Sequence, residues 1–150
     1  MRRSQARRRG GGCPGRPRPV IAVVDTSVLV GLATLDEAEL DEALVERLLD
    51  VTVHVPDIID VEFHHALRGL LIGKKISAER AELARDLFAD TPKVRLPTQP
   101  LTDRIWSLRN NLGAYDACFI TLAEALDAPL ITVDAKQATA SGHHALVESY

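Results

Sequence analysis

Aromatic side chains are scarce in this sequence: one Trp, two Tyr and three Phe among 150 residues. A core must therefore be aliphatic, assembled from Ala, Leu, Val and Ile, and 46% hydrophobic residues are enough to build one. Cysteine is nearly absent. Cys13 and Cys118 give neither a disulfide framework nor a zinc site, and Cys118, inside an apolar helical pattern, reads as a small core residue. A reducing cytoplasm fits that usage. No run approaches the ~20 apolar residues of a membrane span. Arg2-Arg3 hints at a twin-arginine signal, but the apolar run that follows, Val20 to Val24, is too short and ends in Asp25, so export is not expected.

Acids are absent from residues 1–18, which carry seven of the 18 Lys and Arg. The rest of the chain is left with 11 bases against 21 acids, a formal −10 where the whole chain is −3. Residues 1–18 are Arg, Gly and Pro with hardly any apolar content, so a disordered basic tail is expected, with one folded domain over 19–150. Such a tail suits RNA binding. The alternative is that it lies upstream of the true start, since Met1 is the only methionine and patterned sequence begins near Val20.

The chain is organised around Val20 to Val30. Five apolar residues run unbroken to Val24, as in a strand buried on both faces of a parallel sheet. Asp25 stops the run, Thr26 and Ser27 follow, and Val28, Leu29 and Leu32 resume with helical spacing. Two readings of Asp25 are open: a ligand-bearing acid at a strand end, or a simple helix cap.

Beyond it the pattern predicts an amphipathic helix over Asp36–Asp50 that buries Leu40, Ala43, Leu44 and Leu48. A strand Val51–Val55 follows, then a helix Asp57–Lys75 with Ile59, Phe63, Ala66, Leu67 and Leu70 inward. Ser77 caps a helix to about Asp90 with Leu83, Leu87 and Phe88 buried, and Val94–Leu96 is a short strand. Helices over Thr102–Asn110 and Ala114–Asp127, a strand Leu130–Val133, a short helix Ala135–Ala140 and an edge strand Ala145–Val147 complete the order. Strands alternating with helices predict an α/β domain with a mainly parallel sheet.

Four acids share a telling context. Asp25 and Asp134 each follow a buried strand and precede a helix, so a parallel sheet projects both at one edge. Glu62 flanks an apolar helix stripe, and Asp116 stands in a first helical turn, where the helix dipole alone would account for it. Brought together, such carboxylates repel unless a cation lies among them. Hard oxygen ligands without His or Cys select Mg²⁺ or Mn²⁺.

Val24-Asp25-Thr26-Ser27-Val28-Leu29, Asp60-Val61-Glu62, Tyr115-Asp116-Ala117 and Ile131-Thr132-Val133-Asp134 resemble, in order and spacing, the four acidic motifs of PIN-domain ribonucleases, above all the VapC toxins of toxin–antitoxin pairs. The resemblance runs from about Val20 to the C-terminus. It implies a three-layer α/β/α Rossmann-like fold and an endoribonuclease dependent on Mg²⁺ or Mn²⁺, with Asp25, Glu62, Asp116 and Asp134 at the metal and catalytic positions. It also implies an RNA substrate, a cognate antitoxin and a homodimer. Thr26 or Ser27 would orient Asp25. The alternatives are a housekeeping RNA-processing PIN nuclease without antitoxin and, in another class, a phospho-accepting signalling domain using Asp25. The latter lacks the second acid that such sites place beside the first.

Other residues read more plainly. Asp57 reads as a cap and Asp60 as solvent-exposed, while His64, His65, His143 and His144 read as surface residues. Lys74-Lys75 marks a helix end, and Trp106 reads as a packing residue. Arg104 and Arg109 are the candidates for the scissile phosphate, and no substrate-binding residue is assigned. Deleting residues 1–18 is expected to leave one cooperative thermal transition and to weaken at most RNA binding and its salt dependence. Loss of that transition would make the segment structural.

Overall fold

The computed structural model describes residues 20–150. The basic segment 1–18, and Cys13 with it, lies outside the described residues.

The chain runs β1 (Val20–Val24), α1 (Thr26–Thr34), a 3₁₀ turn (Glu37–Glu39), α2 (Glu42–Leu49), β2 (Val51–Pro56), α3 (Ile59–Ile72) and α4 (Ala78–Asp90). It continues with β3 (Val94–Leu96), a 3₁₀ turn (Gln99–Leu101), α5 (Thr102–Ser107), α6 (Ala114–Leu126), β4 (Leu130–Thr132), α7 (Ala135–Thr139) and β5 (Val147–Ser149). The five strands form one sheet in the order β3-β2-β1-β4-β5, and every pairing is parallel. On one side α1, α3 and α4 pack together; α6, with α5 against it, crosses β1, β2 and β4. This is the expected three-layer α/β/α arrangement. None of the described helices is long and apolar enough to cross a membrane.

Ala22, Val23 and Val24 of β1 are fully buried, as a central strand requires. Val20 and Ile21 at its start reach solvent, so burial begins where the sheet is covered on both faces. Phe63 of α3 and Phe88 of α4 stack with ring centroids 3.9 Å apart and anchor the α1–α3–α4 layer.

Several predicted boundaries shift, each for a physical reason. Asp36–Asp50 is not one helix. Asp41 accepts a hydrogen bond from the Leu44 amide at 3.1 Å and starts α2, while the Asp36 amide donates to Glu39 at 2.9 Å around a separate 3₁₀ turn. Two caps five residues apart begin two elements. Of the predicted apolar face only Leu44 is fully buried. Ser77 caps α4 as expected, accepting from the Arg80 amide, but the buried stripe is Ala81, Ala84 and Phe88. Leu83 and Leu87 lie off that stripe and are exposed, because the alanines let α4 approach α1 and α3 closely. The helix predicted over Thr102–Asn110 ends at Ser107; Leu108 is buried, and Trp106 is 68% exposed rather than packed. The edge strand lies at Val147–Ser149, where it pairs with Leu130–Thr132.

The Phe63–Phe88 stack joins α3 to α4 in a core that is otherwise aliphatic apart from Phe119. Phe63→Ala is expected to cost ~3–5 kcal/mol and to lower the thermal midpoint by on the order of 10 °C. A circular-dichroism melt that moves by only a degree or two would show that the layer does not depend on this stack.

Candidate active site

β1 and β4 are neighbours at the sheet centre, and the chain departs from them to opposite edges, β2 and β3 on one side and β5 on the other. In an open parallel sheet this is the switch point, where a crevice opens beyond the carboxyl ends of the strands. Asp25 is the first residue past β1 and Asp134 the second past β4. The Asp25 amide donates to the Ile131 carbonyl at 3.0 Å, so both acids leave the sheet at the same edge.

Asp25 is 5% exposed. Its Oδ2 accepts from the Ser27 amide at 3.2 Å, from the Ser27 hydroxyl and from the Thr132 hydroxyl at 3.3 Å. It caps α1, as one of the two readings expects, while standing at the strand-end position that the other requires. The fully buried Thr132 also accepts from the Asp134 amide at 3.0 Å, and its hydroxyl therefore bridges the two strand-end acids. Asp134 in turn caps α7, accepting from the Lys136 amide at 2.9 Å.

Glu62 projects from α3 and accepts from the Thr26 hydroxyl at 2.7 Å. Burial raises its carboxyl above the usual range; the Thr26 hydroxyl opposes that rise, and the charges of Asp25 and Asp116 add to it. Asp116, in the first turn of α6, is also raised by burial first and then by Asp25 and Asp134; the Gln137 amide and Lys136 oppose the rise. The charge of Asp25 thus bears on both Glu62 and Asp116, and that of Asp134 on Asp116. Carboxylate oxygens are hard donors, and a set without His or Cys suits Mg²⁺ or Mn²⁺. Among the described residues no three Asp, Glu, His or Cys side chains close into a ready-made metal cage. Mg²⁺ does not need such a cage, since it keeps several waters and takes one or two carboxylates.

Ser27 hydrogen-bonds Asp25, whereas Thr26 bonds Glu62 instead. Arg104 does not face the crevice: it forms a bidentate pair with Glu124 at 2.8 and 2.9 Å and donates to the Gly142 carbonyl, fastening α5 to α6. Arg109 lies over the Trp106 ring, 4.9 Å from its centroid. Asp57 caps nothing; it accepts from the Thr98 amide at 3.1 Å. Asp60 pairs with both arms of Arg95 at 2.7 and 2.8 Å. His64, His65 and His144 are exposed, but His143 is half-buried and its Nε2 contacts the Gln137 carbonyl oxygen at 3.2 Å. Burial pushes the Cys118 thiol up to about 11, which leaves it an inert core residue. The sequence reading missed Thr132 and Gln137. A threonine closing a buried strand was a visible signal; a glutamine in a short helix was not.

The family model of the PIN domain matches residues 22–142. The chain belongs to the PIN-domain family. It is 35% identical over 126 residues to Ribonuclease VapC12 of Mycobacterium tuberculosis, covering 84% of this chain and 96% of that protein. Ribonuclease VapC1 of the same organism is 40% identical over 90 residues, 59% of this chain and 68% of that one. The fold also matches the crystal structure of VapBC2 from Rickettsia felis bound to a promoter DNA fragment, with TM-score 0.62 and 17% identity, covering 87% and 98% of the two chains.

In this PIN domain the raised carboxyl of Asp116 makes a pH-dependent stability term. The folded form favours the protonated acid, so the contribution is fully present below the unfolded value of about 3.9 and is lost as pH rises through the folded value. At pH 7.5 the metal-free chain therefore carries a penalty that Asn escapes. Asp116→Asn in EDTA is expected to melt at or above wild type at pH 7.5, with the difference shrinking toward pH 4. A variant that melts below wild type by the same margin at both pH values would contradict the shared acid cluster.

Proposed function

We propose that this chain is an endoribonuclease dependent on Mg²⁺ or Mn²⁺, acting as the toxin of a toxin–antitoxin pair. One observation carries the reading: Asp25 and Asp134 leave the sheet at its switch point bridged by the Thr132 hydroxyl, while Glu62 is bonded to Thr26, beside Asp25, and Asp116 to Gln137, three residues past Asp134. Its relatives are named ribonucleases, and RNA is a polyanion that an uncompensated acidic crevice repels. Asp25, Asp116, Asp134 and Glu62 would hold the cation. When bound, it neutralises the carboxylates, polarises a phosphodiester and eases deprotonation of a water. The chain's own part is positioning. Ser27 and Thr132 hold one oxygen of Asp25, leaving its Oδ1 outside those bonds, and Thr26 sets the rotamer of Glu62.

The partner proposed is a cognate antitoxin protein, consistent with the VapBC assembly of the Rickettsia felis structure. An arginine from that protein suits the acid cluster, because a guanidinium pairs with carboxylates in a forked geometry. A homodimer is part of the same proposal, and the exposed Leu71, Ile72, Leu83 and Leu87 of α3 and α4 are apolar residues that such a contact would cover. A cytoplasmic location belongs to the same reading. A phospho-accepting role for Asp25 is not favoured, since the chain belongs to the PIN-domain family and its relatives are named ribonucleases.

Purified protein is expected to cut structured RNA with Mg²⁺ or Mn²⁺ and to stop in EDTA. Asp25→Asn and Asp116→Asn should each lower the cleavage rate on the order of 100-fold or more, the scale of several kcal/mol of lost charge stabilisation. Undiminished cleavage by both variants, or by wild type in EDTA, would refute the assignment.

A further inference from the structure

We propose that Gln137 is a positioning residue of the acid site, its side-chain amide holding Asp116 in the orientation in which that carboxylate meets a cation. The inference rests on the divalent-cation reading above and adds a residue outside the four acids.

Gln137 is 2% exposed, and its Nε2 donates to Asp116 Oδ1 at 3.2 Å. The other half of the same amide, Oε1, is buried without a hydrogen-bond partner. An unpaired buried carbonyl is costly, and an apolar side chain of similar length would avoid the cost. The donor is therefore what the position uses. Turning the amide over would set Oε1 against a carboxylate oxygen, two acceptors with no proton between them. The surrounding backbone fixes the reach. Asp134 caps α7 through the Lys136 amide, and the Gln137 amide donates to the Asp134 carbonyl at 3.1 Å. One turn of α7 thus carries one acid at its start and the clamp for another on its inner face. From the far side, His143 Nε2 contacts the Gln137 carbonyl oxygen and pins that turn.

The test compares wild type with Gln137→Met and Gln137→Leu in the full chain. It measures the Mn²⁺ dissociation constant by calorimetry and the thermal midpoint in EDTA. Both variants are expected to bind Mn²⁺ 10–100-fold more weakly, the usual effect of losing a group that orients a metal ligand. Their midpoints should equal or exceed wild type, because the unpaired carbonyl is gone. In an Asp116→Asn background, Gln137→Met should add no further loss of affinity. Unchanged Mn²⁺ affinity in folded variants overturns the proposal, as does loss of the cooperative transition in both, which would assign Gln137 to the core. Wild type that takes up no Mn²⁺ would instead defeat the cation reading itself.

Discussion

Repulsion among like charges is the constraint around which this domain is arranged. Asp25 and Asp134 leave the carboxyl edge of a parallel sheet side by side, and the charge of Asp25 reaches the half-buried Glu62 and Asp116, where burial weakens the water that would screen it. Only a rigid frame keeps such a group together. The frame is the centre of the sheet, where β1 and β4 pair in register and each ends at an acid.

The protein answers the repulsion with neutral donors rather than bases. Ser27 and Thr132 serve Asp25, Thr26 serves Glu62, and Gln137 serves Asp116. The well-placed arginines are engaged elsewhere: Arg47 with Glu148, Arg95 with Asp60, and Arg104 with Glu124. Those pairs tie α2 to β5, β3 to α3 and α5 to α6. Charge is thus compensated by arginines where elements are joined and not at the strand-end acids. Neutral donors orient a carboxylate without cancelling its charge.

The central strands β1 and β4 were legible because apolar, β-branched runs have few other uses, whereas the edge strand was placed two residues early; the start of α4 was legible from its cap, Ser77. Misreadings came where packing overrode pattern. Leu83 and Leu87 were placed inward because leucine is apolar, yet the small Ala81 and Ala84 set the approach of α4. Trp106 was placed inward on the same ground and stands in solvent. At Asp36–Asp50 an apolar periodicity spanned two caps, and the caps decided.

By itself the sequence determined the order of strand, acid and helix, and with it which acids stand at strand ends and helix starts, because these are local matters of burial and capping. Tertiary structure alone decided who meets whom. Thr132 reaches Asp25 across 107 residues of chain, Thr26 reaches Glu62 across 36, and Gln137 reaches Asp116 across 21. Those partnerships depend on sheet order and on the depth of α7. No local pattern encodes either, because a side chain's hydrogen-bond partner is chosen by the fold that surrounds it.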